Sequence, residues 1–174
     1  NALARYEVER GQAYTINTIA SLVGPFLSRS LVDPWGAPYV VETASSTVYS
    51  KGSDGQVGGG DDVVISYRPP MAVSRVIWID TNQNGAVDTP DSVLFKCTRP
   101  LKTGITGTTG LSFSTGGITG NPTLTGSYGN IASYAFSGSA FVPGKDTVTM
   151  QSNNVLVDGN NARAASDTLK ILAQ

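Results

Sequence analysis

Histidine is absent from the 174 residues, and cysteine occurs once. The first absence removes the commonest general base, and with it the Ser-His-Asp and Cys-His nucleophile arrangements and most catalytic zinc sites. The second forbids an internal disulfide. Cys97 stands in Val93-Leu94-Phe95-Lys96-Cys97, a strand-like run where a lone cysteine reads as a small buried hydrophobe. No run reaches the ~18 apolar residues of a membrane helix. Charge is scarce, with 12 Lys+Arg against 13 Asp+Glu and a net of −1. Nothing in that balance calls for a phosphate backbone, so nucleic acid is not an expected partner. The G-x-S-x-G, Walker, G-x-G-x-x-G and H-E-x-x-H patterns are all missing, and no carboxylate pair stands out for glycoside chemistry. The chain reads as a non-enzyme.

What remains is one domain's length, 40% hydrophobic, with 20 Gly and 9 Pro. Its charge is uneven. Ten of the 13 acids lie in residues 1–91, and none lies between Ser92 and Lys145. The opening, Ala2-Leu3-Ala4-Arg5-Tyr6-Glu7-Val8-Glu9-Arg10-Gly11, uses good helix formers and stops at glycine. No start signal precedes it, so it reads as the tail of a longer helix. Ile16, Ile19, Ala20 and Val23 follow at i, i+3, i+4, i+7 behind Thr15, which predicts a second helix ended by Gly24-Pro25. Strands are predicted at 39–42, 47–50, 63–67, 75–80 and 93–97, then at 133–142, 147–150, 155–157 and 168–172, with Asp158-Gly159-Asn160-Asn161 as a turn. Helix first and sheet after argues α+β. Residues 103–129, rich in Thr and Gly, read as a surface insertion rather than a binding loop. The whole is expected as one domain, 1–98 forming a helix-plus-sheet core and 99–174 a β-rich extension.

Two loops carry candidate chemistry. In Ser50-Lys51-Gly52-Ser53-Asp54-Gly55-Gln56-Val57-Gly58-Gly59-Gly60-Asp61-Asp62, three carboxylates bracket a run that glycines let reverse tightly. Calcium takes six to eight oxygens from carboxylates and carbonyls, so Asp54, Asp61 and Asp62 with the Lys51 carbonyl make a candidate set; an ordinary acidic surface loop is the other reading. In the second loop, Asp80, Asn82 and Asn84 fall at positions 1, 3 and 5 of a twelve-position calcium loop, with Gly85 at the sharp turn. The Ala86 carbonyl, Asp88 and Asp91 complete it at 7, 9 and 12. Asp stands where a longer Glu is usual, strands flank the loop, and Asn84-Gly85 is also a metal-free hairpin turn.

The front part resembles a type II secretion major pseudopilin, a relative of type IV pilins. The resemblance rests on Asp33-Pro34-Trp35-Gly36-Ala37-Pro38-Tyr39, then Tyr49-Ser50, then Ser53-Asp54-Gly55-Gln56-Val57-Gly58-Gly59-Gly60-Asp61-Asp62-Val63, and covers roughly residues 1–67. It implies a pilin-like fold with a truncated N-terminal helix on an antiparallel sheet, and one calcium ion held by Asp54, Asp61, Asp62 and the Lys51 carbonyl. It further implies a helix preceding Asn1 that anchors the subunit in the bacterial inner membrane, with a methylated first residue and a periplasmic head or an extracellular filament. The implied partners are other copies, minor pseudopilins and secreted cargo. Trp35 and Tyr39 are expected to pack at the turn from helix to sheet rather than stack on a ligand. The residues beyond the loop leave a second reading open, a type IV pilin or a secreted or surface-displayed calcium-dependent adhesion module.

Overall fold

A computed structural model describes residues 2–29, 31–126 and 129–174. The chain forms two compact units, Asn1–Pro69 and Pro70–Gln174.

The first unit opens with the helix α1 (Ala2–Arg10), which ends at Gly11 as its composition predicts. Its Leu3 joins a small core with Tyr14, Ile19, Leu22, Val41 and Tyr67. One turn on, Glu7 is buried too, paired with the buried Arg68 and accepting the Tyr14 amide at 2.9 Å. The second predicted helix shrinks to a three-residue 3-10 turn, Ala20–Leu22, and Ile16 and Val23 are exposed. Local spacing loses here to pairing. The Tyr14 hydroxyl takes the Thr18 carbonyl at 2.5 Å, Thr18 bridges Val40, and the Asn17 carbonyl accepts the Val41 amide. Three antiparallel strands follow in the order β1 (Val40–Glu42), β2 (Thr47–Ser50), β3 (Val63–Ser66). All of β3 is exposed although it reads Val-Val-Ile-Ser.

The second unit is a single curled sheet. Its strands are β4 (Val73–Ile79), β5 (Ser92–Cys97), β6 (Leu111–Phe113), β7 (Gly117–Thr125), β8 (Ile131–Ser137), β9 (Thr147–Met150) and β10 (Asp167–Ala173). They lie in the order β6-β9-β10-β4-β5-β8-β7, antiparallel except for β10 beside β4. Alternation along β5 and β8 sends Val93, Phe95, Cys97, Ala132, Tyr134 and Phe136 inward. Phe141, Leu156, Ala164 and Leu101, from the connecting segments, complete the core. Phe95 meets Tyr134 edge-to-face at 5.7 Å between ring centres, and Phe136 meets Phe141 at 5.5 Å, the offset that aromatic quadrupoles favour.

This overturns the α+β, pilin-like expectation. The molecule is mostly β, its described α-helix is nine residues long, and no described helix belongs to the unit with the seven-stranded sheet. A curled sheet needs no helix to cover its inner face, because its own connections close over it. From the 99–174 stretch, β10 enters the sheet between β9 and β4. The Thr/Gly-rich stretch is no surface insertion. It supplies β6 and the edge strand β7, whose register shifts between Thr119 and Thr123 around Pro122, a residue that an edge tolerates because it owes no ladder hydrogen bond. Ser127 and Tyr128, near its end, lie outside the described residues. Of residues 155–157 only Val157 pairs, in an isolated bridge to Arg163, rather than forming the predicted strand, while Asp158–Asn161 turns as expected, the Asn161 amide reaching the Asp158 carbonyl at 2.9 Å.

Candidate functional site

The site is built on the end of β2. Ser50 is buried there, and its hydroxyl donates to Asp33 Oδ2 at 2.5 Å while accepting the Gly52 amide at 3.2 Å. Asp33 in turn accepts the amides of Trp35 at 3.1 Å and Ala37 at 2.7 Å, closing the Asp33–Tyr39 turn around its own side chain. The Ser50 hydroxyl, helped by those amides and opposed by burial, holds the Asp33 carboxyl below its ordinary range. One serine therefore joins the Pro-rich turn to the first residue of the glycine loop. Sequence reading placed Asp33 and Ser50 only as letters of a motif; an aspartate opening a Pro-x-Gly turn was the available signal. Trp35 is 51% exposed and lines, with Pro34, Tyr39, Val48 and Val63, a groove of about 170 Å³. It is a platform at the turn rather than a core residue.

Asp61 folds back across the loop. Its Oδ2 accepts the Ser53 amide at 2.6 Å, the Ser53 hydroxyl at 2.8 Å and the Asp54 amide at 3.2 Å. The Ser53 hydroxyl foremost, and then the Asp54 amide, lower its carboxyl against the opposing effect of burial. The approach requires glycine at position 52: with φ at +65°, a side chain there would begin 2.6 Å from the Asp61 carbonyl oxygen. Asp54 Oδ1 accepts the Gln56 amide at 2.8 Å, and Asp62 Oδ2 the Gly58 amide at 2.6 Å. Each carboxylate thus spends one oxygen holding the loop.

The other oxygens differ. Asp61 Oδ1 and Asp62 Oδ1 are buried from solvent and have no hydrogen-bond partner. Asp54 Oδ2 and Asp61 Oδ1 both crowd Gly59, at 2.2 and 3.1 Å from where its Cβ would stand. Among the described residues no three His, Cys, Asp or Glu side chains are gathered into a side-chain cage. A hard cation drawing part of its shell from backbone carbonyls still suits this donor set, since orphaned buried carboxylate oxygens are costly without a positive partner. Lys51, directly after β2, is half-buried at the same shoulder of the loop.

The second loop is organised around Asp91, which is 1% exposed. Its Oδ2 accepts the Trp78 indole N–H at 2.8 Å and the Asp88 amide at 3.1 Å, and its Oδ1 the Thr81 amide at 3.0 Å. Burial works to raise its carboxyl, but the indole and the two amides prevail and leave it lowered. Asp80 accepts the Asn84 amide at 3.2 Å and the Gly85 amide at 2.7 Å. Asn82 and Asn84 donate their side-chain N–H groups to Asp88 at 3.0 and 2.8 Å, and Asn84 Oδ1 accepts the Ala86 amide at 2.7 Å. The loop closes on itself, with these oxygens engaged in its own hydrogen bonds.

A comparison with known protein families finds a likeness, within the front unit, to a component of the type II secretion system. Within it the matching family is that of type II secretion system (T2SS), protein G, the major pseudopilin, over residues 11–66. Those 56 residues of the 174 include both motifs joined through Ser50. Pseudopilins of that system are structural components of the cell envelope that work with other pseudopilin subunits, not enzymes. No curated protein and no solved structure matches the chain. No helix among the described residues is long and apolar enough to cross a membrane.

Proposed function

We propose that the chain is a filament-forming pseudopilin whose 51–62 loop is ordered by calcium. The family match over residues 11–66 carries the pseudopilin part. Supporting assembly, β3 is an edge strand with Val63, Val64 and Ile65 exposed at 50, 58 and 64%. An unpaired apolar edge is a liability in an isolated protein and an asset in one that repeats by non-closing contacts. Other copies, minor pseudopilins and secreted cargo are the partners of this reading, and the growing fibre is what drives export.

The orphaned oxygens of Asp61 and Asp62 carry the calcium part. Calcium held by Asp54, Asp61, Asp62 and the Lys51 carbonyl supplies the positive charge that these oxygens lack. The residues then keep the loop in one shape, Asp61 clamping Ser53 and Asp62 clamping Gly58. The Asp80–Asp91 loop, with Asp80, Asn82, Asn84, the Ala86 carbonyl, Asp88 and Asp91, is a second candidate in the same proposal.

The test is thermal unfolding with calcium and with chelator, for the native chain and for Asp54→Ala. At millimolar calcium and a dissociation constant in the tens of micromolar, linkage gives about 2–3 kcal/mol of added stability. The native chain is expected to melt several degrees higher in calcium, and Asp54→Ala to lose that difference. A native melting temperature indifferent to chelator overturns the calcium reading. For assembly, a host strain lacking the chain is expected to retain its secreted proteins in the periplasm; normal export overturns the secretion role.

A further inference from the structure

The second unit lies outside the family match, and it holds a cleft of about 300 Å³ unrelated to either acidic loop. One wall is the strip Lys102–Thr106; the other is formed by Val155, Val157, Asn161 and Arg163. The frame is fixed. Leu101 bridges Asp158, the Lys102 amide donates to the Val157 carbonyl at 2.8 Å, and the Val155 amide to the Thr109 carbonyl at 3.0 Å. Beside it, Arg99 and Asp158 form a buried ion pair at 2.9 Å, so the acid nearest the cleft is already neutralised.

Among the described residues the two cations of the cleft have no such partner. Lys102 donates once, to Asn161 Oδ1 at 2.8 Å, and Arg163 donates through Nη1 to the carbonyls of Asn154 at 2.5 Å and Asn153 at 3.4 Å. Neither forms an ion pair with a described carboxylate, and no Asp or Glu occurs between Ser92 and Lys145. An ammonium has three donors and a guanidinium five in a planar fork, so both keep N–H groups in hand. Those carbonyl contacts hold the Arg163 side chain at the rim, which lowers the ordering penalty for capturing an anion. The rest of the lining divides in two. Thr103, Thr106 and Asn161 offer hydroxyl and amide groups, while Ile105, Val155 and Val157 offer an aliphatic surface.

We infer that this cleft binds a carboxylated sugar, a hexuronate being the simplest form. Lys102 and Arg163 would take the carboxylate, the threonines and Asn161 the ring hydroxyls, and the aliphatic wall one face of the ring. The volume accommodates a single sugar residue. A bare carboxylate would leave the hydroxyl and amide groups unmatched, and a neutral sugar would leave both cations unmatched. The second unit would then read an acidic polysaccharide.

The experiment is an amide chemical-shift titration of the full chain with sodium glucuronate, and in parallel with glucose, acetate and phosphate. Glucuronate is expected to shift the amides of 102–106 and 155–163 with a millimolar dissociation constant. Glucose and acetate should each bind at least about tenfold more weakly. Lys102→Gln and Arg163→Gln, checked as folded by their spectra, should each weaken glucuronate about tenfold. Absence of shifts with glucuronate overturns the site. Equal response to glucose overturns the role of the cations; equal response to acetate, or tighter binding of phosphate, overturns the sugar. These residues are remote in sequence from 11–66, so either result leaves the pseudopilin reading where it stands.

Discussion

Replacing Asp91 by alanine removes the acceptor around which the Asp80–Asp91 loop closes. The Trp78 indole N–H, buried at the end of β4, loses its 2.8 Å partner. A buried donor stranded in this way costs about 1–3 kcal/mol. The amides of Thr81 and Asp88 are only partly buried, so each loses about 1 kcal/mol, the net worth of an ordinary hydrogen bond. Together these predict a loss of about 3–5 kcal/mol, a large share of a domain's stability. Trp35 and Trp78 are the only tryptophans and fall in different units. Urea unfolding of a Trp35→Phe background, followed by fluorescence, therefore reports on the second unit alone. Asp91→Asn, which keeps one acceptor oxygen, should lose less than alanine. The pH dependence has a definite sign. A carboxyl lowered in the folded state contributes stability above its unfolded value, near 3.8, and that contribution disappears as pH falls through the lower folded value. The alanine variant should lack this acid-limb slope. A loss below about 1 kcal/mol refutes the buried-staple argument. A loss seen only with calcium present would instead make Asp91 a metal ligand in function.

Two further outcomes follow from single residues. Gly59→Ala places a methyl against Asp54 Oδ2 and Asp61 Oδ1 at a position with no left-handed backbone requirement; stability in chelator should change little, while the calcium-induced rise in melting temperature shrinks, and an unaltered rise would show that the ion, if bound, does not use the oxygens at Gly59. Cys97 is 2% exposed and burial pushes its thiol up to about 12, so a thiol reagent at pH 8 should fail to label the folded chain and should label it once urea unfolds the second unit. Labelling at the rate of a free thiol without denaturant would contradict its place on the inner face of β5.

Local pattern was a good guide wherever a segment's neighbours in space were its neighbours in sequence. The helix stop at Gly11, the β1–β2–β3 meander and the Asp158–Asn161 turn are of that kind. It failed where partners came from afar. Residues 16–23 have helical spacing, yet Asn17 and Thr18 bind β1, a competition that periodicity does not register. The strand at 117–125 was hidden by its composition. Only Ile118 and Leu124 pack on the core, and the Thr-Gly-Asn-Pro-Thr run between them carries no alternating apolar signal. The place of β10 beside β4 is a parallel pairing across nearly the whole second unit, and no local feature of residues 167–173 announces it. In the candidate site, the acids were legible as residue types bracketing a glycine run. The serines that aim them were not.

Those serines explain why the ordered pair of motifs is more informative than either motif alone. Asp33 and the glycine loop begin 17 residues apart at Ser50, yet they meet in one hydroxyl that donates to the aspartate and accepts from Gly52. Ser53 then repeats the device one step on, donating by amide and hydroxyl to Asp61 Oδ2. A chain of hydrogen bonds thus runs from the Pro-rich turn to the carboxylates, each link fixing the geometry of the next. Slipping β2 by one residue on its neighbours would point Ser50 to the opposite face of the strand and cut the chain at its middle. The spacing from Asp33 to Ser50 to Asp61 is therefore a structural requirement. The coupling also has a direction: whatever orders Asp61 also braces, through Ser53 and Gly52, the turn that presents Trp35 beside the exposed edge at β3.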